Sequence, residues 1–164
     1  VTVEGYGFLL NNEMDDFSSK PGEPNSFGLI GNEANAVEPG KRMLSSMTPT
    51  ILTKDGEVVL VLGAPGGSTI IATVFQVINN MIDFAMPLQD AVVAPRLHHQ
   101  WRPDVIHYGP RAISPDTAEL LILMGYTLEP RSAYGEVNAI SRDRIFGGWV
   151  GAPDYRINSR GAAY

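Results

Sequence analysis

Between a valine-rich run and a helix-periodic segment lies Gly63-Ala64-Pro65-Gly66-Gly67-Ser68, a turn suited to holding negative charge. Val58 to Leu62 reads as a buried strand, and Ile70, Ile71, Val74, Phe75, Ile78, Met81 and Ile82 then recur at spacings of three and four. The chain therefore passes from strand to helix at the glycines. Glycine lets the backbone approach another group closely, and the first turn of a helix directs unpaired N–H groups outward. Such donors hold a phosphate or the oxyanion of an acyl transfer, the alternative being a corner with no ligand. No lysine follows the glycines as a P-loop requires.

Two more clusters set polar groups beside apolar ones. Asn11-Asn12-Glu13-Met14-Asp15-Asp16-Phe17 follows Phe8 to Leu10, an expected strand. Asp15 and Asp16 point apart in extended chain, so they are poorly placed to share a proton. Either one binds a cation while the other caps a turn, or the stretch is a solvated acidic turn. Leu44-Ser45-Ser46-Met47-Thr48-Pro49-Thr50 places two hydroxyls ahead of a strand, where they cap the loop or donate to a ligand carboxylate. There is no Gly-x-Ser-x-Gly elbow for a nucleophilic serine. His98 and His99 fall on opposite strand faces without an acidic residue at ligand spacing. With His107 they are read as packing and hydrogen-bonding residues, and neither metal nor cofactor is expected.

The elements that must position these groups follow from turn chemistry and periodicity. Thr50 to Thr53 and Val58 to Leu62 are strands joined through Asp55-Gly56. The helix from about Thr69 to Ile82 carries apolar residues on more than one face and is expected to be largely buried. A short helix spans Pro87 to Ala94 and is stopped by Pro95. Leu97 to Trp101 and Val105 to His107 are expected strands. Ser114 caps the next helix, with Pro115 at its first position and Gly125 past its end. Tyr126 to Glu129, Val137 to Ser141 and Ile145 to Trp149 complete the strands, the last two paired across Arg142-Asp143-Arg144. Pro21 to Gly40 is rich in turn formers, and a lid-like loop is placed at about 21–32. The order predicts α/β architecture built from hairpins rather than βαβ repeats, with helices covering antiparallel sheet in a single domain.

Composition narrows the class. The chain has 164 residues, a net charge of −6 and no cysteine; its pI is near 4.9 and its mean hydropathy near zero. Acidity without a basic run argues against nucleic-acid binding. No apolar stretch reaches the roughly 18 residues of a membrane span. Cysteine chemistry is excluded. Val1 opens a Val-Thr-Val strand-like pattern without an initiator methionine, which reads as a processed product or a piece of a longer protein.

Taken in order, the motifs resemble one family. Leu9-Leu10-Asn11-Asn12-Glu13-Met14-Asp15-Asp16-Phe17-Ser18, Pro21-Gly22-Glu23-Pro24-Asn25, Asn35-Ala36-Val37, Lys41-Arg42-Met43-Leu44-Ser45-Ser46-Met47-Thr48-Pro49-Thr50 and Gly66-Gly67-Ser68 resemble the small subunit of γ-glutamyltransferases. Ala94-Pro95-Arg96-Leu97-His98-His99-Gln100-Trp101 and Ser114-Pro115-Asp116-Thr117 continue the match, which runs from about Gly7 and thins after Tyr134. The resemblance implies an N-terminal-nucleophile hydrolase with an αββα sandwich, here without its first strands. It implies a self-cleaving precursor, a large-subunit partner and a threonine nucleophile that takes a γ-glutamyl group and passes it to water or an amino acid. Glu13 and Asp16 would hold the substrate's α-ammonium, Ser45 and Ser46 its α-carboxylate, and the Gly66 and Gly67 N–H groups the oxyanion. Several family members carry a lid tyrosine where this chain has Phe27, so a hydroxyl latch is absent here. A periplasmic or extracellular location is implied too.

The catalytic threonine is expected upstream of Gly7, and Thr2 does not replace it. The isolated chain is therefore expected to be inactive and to self-associate through uncovered strand edges. Alternatives are a related amidase, of the cephalosporin acylase or poly-γ-glutamate depolymerase kind, and a non-catalytic assembly fragment. Retention of Glu13, Asp16, Ser45 and Ser46 together favours γ-glutamyl substrates.

Overall fold

Asp55 and Gly56 turn the chain with positive φ angles of 53° and 84°, the geometry whose twist suits a two-residue hairpin. In this computed structural model, which describes residues 2–143 and 145–161, they join β1 (Thr50–Lys54) to β2 (Glu57–Gly63). β2 pairs next with β6 (Asn138–Arg142), and β6 with β7 (Trp149–Ala152), giving an antiparallel sheet of order β1-β2-β6-β7. Side chains alternate across its pleat: Leu60, Leu62, Ala139 and Ser141 are buried, whereas Val61 and Ile140 are exposed.

Helices α1 (Thr69–Ile82) and α2 (Leu88–Val93) supply the other side of the core. Ile70, Val74 and Val77 of α1 and Leu88, Ala91 and Val92 of α2 pack with Leu60, Leu62, Val137, Ala139 and Ala152. The expectation that α1 is largely buried is corrected. Its buried positions form one stripe, while Ile71, Phe75 and Ile82 stay 53%, 63% and 61% exposed. One sheet can cover only one face of a helix.

A second sheet departs from the hairpin-only reading. β3 (Leu97–His98) pairs antiparallel with β4 (Ile106–Tyr108), but β4 runs parallel to β5 (Leu128–Pro130). Parallel neighbours need a crossover, here α3 (Pro115–Leu123), which ends ahead of Gly125 at φ 92°. His98 and His107 face each other across β3 and β4 with rings 6.5 Å apart. The His98 Nε2 lies 2.8 Å from Gln100 Oε1, and His107 Nε2 accepts from Arg131 at 2.9 Å. Burial, and then the Arg131 charge, push the His107 pKa below its ordinary value. His99 pairs with Asp104 at 2.8 Å.

Two other expected strands are corrected. Ile145 and Phe146 belong to the connection, 84% and 86% exposed, because Asp143 Oδ1 accepts both of their N–H groups at 2.7 and 2.9 Å. The strand accordingly starts at Trp149 instead of ending there; Arg144 lies outside the described residues. Phe8 to Leu10 form no strand but a single bridge, Thr2 to Leu9, around a turn with Gly5 and Gly7 at positive φ. Val1, the start of the expected Val-Thr-Val strand, lies outside the described residues.

Both ends of this core meet at the C-terminus of α2. Arg96, 1% exposed, donates to the carbonyls of Ala91, Val92 and Ala94, and its Nε to Gly135. Arg156 donates to Val92, Val93 and Ala94 and to both Asp154 carboxylate oxygens at 3.0 and 3.1 Å. The free carbonyls at a helix C-terminus favour cations. Burial, then repulsion from Arg156, pushes the Arg96 pKa down to about 10, so it stays charged at neutral pH. The Arg156→Ala variant would leave the buried Asp154 carboxylate without its counter-charge. It is expected to lose about 3–5 kcal/mol of unfolding free energy, measured by urea denaturation of the intact protein. A loss below about 1 kcal/mol would show the pair to be neutral for stability.

Candidate active site

The chain divides into two units, Val1–Ser46 and Met47–Tyr164. The first contains Glu13, Asp16, Phe27, Ser45 and Ser46. Residues Glu13–Asp16 form a 3-10 turn rather than extended chain, Asn11 Oδ1 accepting the Glu13 N–H at 3.1 Å. With three residues per turn, positions i and i+3 eclipse, so Glu13 and Asp16 share one edge. Asp15 is exposed, whereas Asp16 is 9% exposed and its carboxylate takes no hydrogen bond from the described residues. This burial separates two aspartates that their sequence context leaves equivalent.

A second 3-10 turn, Glu33–Asn35, is opened by Asn32, whose side chain accepts from the Ala34 N–H at 3.0 Å. Its last residue is bonded in two directions. Asn35 Nδ2 donates to the Asp16 carbonyl at 2.6 Å, and Asn35 Oδ1 accepts the Leu44 N–H at 3.2 Å. Leu44 leads directly into exposed Ser45 and half-buried Ser46. The turn bearing Asp16 and the segment bearing the serines are thus joined through one carboxamide.

The lid-like loop is ordered by another asparagine. Asn25 Oδ1 accepts from the N–H groups of Phe27 and Leu29 at 3.0 and 2.9 Å, while its Nδ2 donates to the Asp15 carbonyl at 3.1 Å. Gly22 N–H bonds the Gly31 carbonyl at the base of the loop. Gly31 lies against Ser18 so closely that a Cβ there would meet the buried hydroxyl. Phe27 sits at the tip, 38% exposed.

In the second unit, Gly66 and Gly67 stand at the start of α1 with φ 128° and 57°. Their carbonyls face the helix: Gly66 O accepts from Thr69 N–H at 3.2 Å and from the Thr69 hydroxyl at 2.9 Å, and Gly67 O accepts from Ile70 N–H. No acceptor among the described residues takes the N–H of either glycine. These donors, at the positive end of a 14-residue helix, suit a developing negative charge.

The family model described as Gamma-glutamyltranspeptidase matches residues 1–164. The chain belongs to the γ-glutamyltranspeptidase family. It is 56% identical over 146 residues to the glutathione hydrolase proenzyme of Pseudomonas aeruginosa, covering 87% of this chain and 26% of that protein. The corresponding proenzyme of Escherichia coli K12 is 52% identical over 134 residues, covering 82% and 23%. The γ-glutamyltranspeptidase of Pseudomonas nitroreducens, solved in complex with L-DON, superposes with a TM-score of 0.88 at 51% identity, covering all of this chain and 86% of that one. This chain therefore spans about a quarter of the curated relatives' length. The transpeptidase enzyme CapD of Bacillus anthracis shares the fold at 23% identity, with a TM-score of 0.68. Among the described residues, no helix is long and apolar enough to cross a membrane.

Sequence reading treated Asn25 and Asn35 as turn formers and missed their tethering. Their signal was asparagine's capacity to bond backbone at a distance as well as locally. Each such bond is worth about 1 kcal/mol. The Asn25→Ala variant is expected to raise local opening of the loop about tenfold, read as faster hydrogen exchange at the Phe27 and Leu29 amides. Unchanged exchange would mean that the loop is held by something else.

Proposed function

We propose that this chain supplies substrate recognition and oxyanion stabilisation to an enzyme that hydrolyses or transfers γ-glutamyl groups, glutathione among them, and that works as a two-chain product of a precursor. Membership of the γ-glutamyltranspeptidase family supports the reading, as do relatives named glutathione hydrolase proenzymes.

The observation that carries it is Asp16: a buried residue whose carboxylate takes no hydrogen bond from the described residues, on one edge with Glu13 and tied through Asn35 to the segment that leads into the serines. A carboxylate that takes no hydrogen bond from the described residues is available to a cationic ligand. An α-amino-acid headgroup carries an ammonium and a carboxylate on one carbon. Asp16 and Glu13 answer the first, and the hydroxyls of Ser45 and Ser46 the second. In the larger unit, the N–H groups of Gly66 and Gly67 take the negative charge that builds on the γ-carbonyl oxygen as the family's threonine attacks. The same donors serve again when water or an amino acid resolves the acyl-enzyme.

Two measurements on the intact protein test these roles. The Asp16→Asn variant is expected to lower kcat/KM about ten- to a hundredfold on a γ-glutamyl anilide, and much less on a glutaryl anilide, which lacks the ammonium. Equal losses on both would make Asp16 structural. At the turn, a Cβ on Gly66 would lie 2.5 Å from the Thr69 hydroxyl, displacing the donors. The Gly66→Ala variant is expected to lower kcat by about two to three orders of magnitude while circular dichroism stays native. A folded variant with normal kcat would put the oxyanion site elsewhere.

A further inference from the structure

We infer that Asn35 is a positioning residue that sets the separation between the ammonium-binding Asp16 and the carboxylate-binding Ser45–Ser46 pair. The inference rests on the proposed function. The Asn35 side chain spans the two segments, Nδ2 to the Asp16 carbonyl and Oδ1 from the Leu44 N–H. Its main chain is equally committed: the N–H donates to the Asn32 carbonyl at 3.1 Å, and the carbonyl accepts from the Ser18 N–H at 2.9 Å. Ala36 then bridges to Ser18 in parallel. Asn35 is thus fastened by side chain and main chain at the C-terminal end of the 3-10 turn that carries Asp16, and its side chain reaches across to Leu44.

Only a carboxamide does this with a planar, short side chain, because it carries a donor and an acceptor on one carbon. Aspartate would keep the Leu44 bond and turn an oxygen toward the Asp16 carbonyl. Alanine would sever both. Either change leaves every group that touches the substrate in place but unfixes the distance between the two charge-binding halves. A headgroup engaging both halves feels that distance, whereas a ligand engaging one half does not.

The test uses the intact processed protein, with γ-glutamyl and glutaryl anilides as paired substrates. The Asn35→Ala and Asn35→Asp variants are expected to raise KM for the γ-glutamyl anilide about tenfold, the size of one lost hydrogen bond to a charged ligand, with kcat within about twofold of wild type. Glutaryl turnover is expected to be unchanged, and the Asn35→Ala penalty to vanish in an Asp16→Asn background, because the two residues then act on one contact. The near-isosteric Asn35→Asp carries the same test where the alanine variant fails to fold. Equal losses on both substrates, or an undiminished penalty beside Asp16→Asn, would overturn the inference and reduce Asn35 to a stability role. A wild-type enzyme that does not discriminate the two anilides would overturn the proposed function and this inference together.

Discussion

A guanidinium paired with no carboxylate among the described residues is the constraint on which the larger unit turns. Arg96 is buried in a ring of carbonyl oxygens from the end of α2, and it shares those of Val92 and Ala94 with Arg156. Its Nε holds Gly135, and Gly135 packs so tightly against Thr73 of α1 and the Arg96 stem that a Cβ there would meet Thr73 Oγ1 at 2.8 Å. Two residues later Val137 enters the core, its N–H fixed by Asp154, and β6 begins. β6 aligns β2, whose last residue, Gly63, pairs with Asn138 and leads into the Gly66-Gly67 turn. The amide donors at the head of α1 are thus fixed, link by link, from the far end of another helix.

The smaller unit is held by different means. Within its described residues there is no extended strand and no helix beyond two 3-10 turns; its order comes from isolated bridges and from asparagine side chains bonded to backbone. Such bonds fix direction well but bury little apolar surface. The hydrophobic term that stabilises the sheet and helices of the larger unit is correspondingly small here. Exposed Tyr6, Leu9 and Met14 fit that account.

This contrast explains what could be read in advance. Asp55-Gly56, the period of α1 and the glycines before it are local signals, and they led to the hairpin, the helix and the strand-to-helix turn at the right residues. Long-range choices were not legible. Apolar Ile145 and Phe146 look like strand, but Asp143 captures their amides first. The parallel pairing of β4 with β5 depends on where α3 returns the chain, and nothing within either strand records it. In the acidic stretch the residue types were visible, yet the difference between Asp15 and Asp16 arises only when a 3-10 turn sets the phase.

The contact of Gly31 with Ser18 divides the loop at 21–32 into parts with unequal freedom to change over evolutionary time. No side chain fits at Gly31 unless Ser18 moves, and Ser18 is itself fixed through Asn35. Asn25 is committed by three hydrogen bonds. Ser26 and Phe27, between these fixed points, are exposed and contribute no side-chain hydrogen bond among the described residues. Sequence drift can therefore collect at the tip, altering its bulk and polarity while its place on the scaffold stays constant. A fold that confines variation in this way can change what the loop tip presents without rebuilding what supports it.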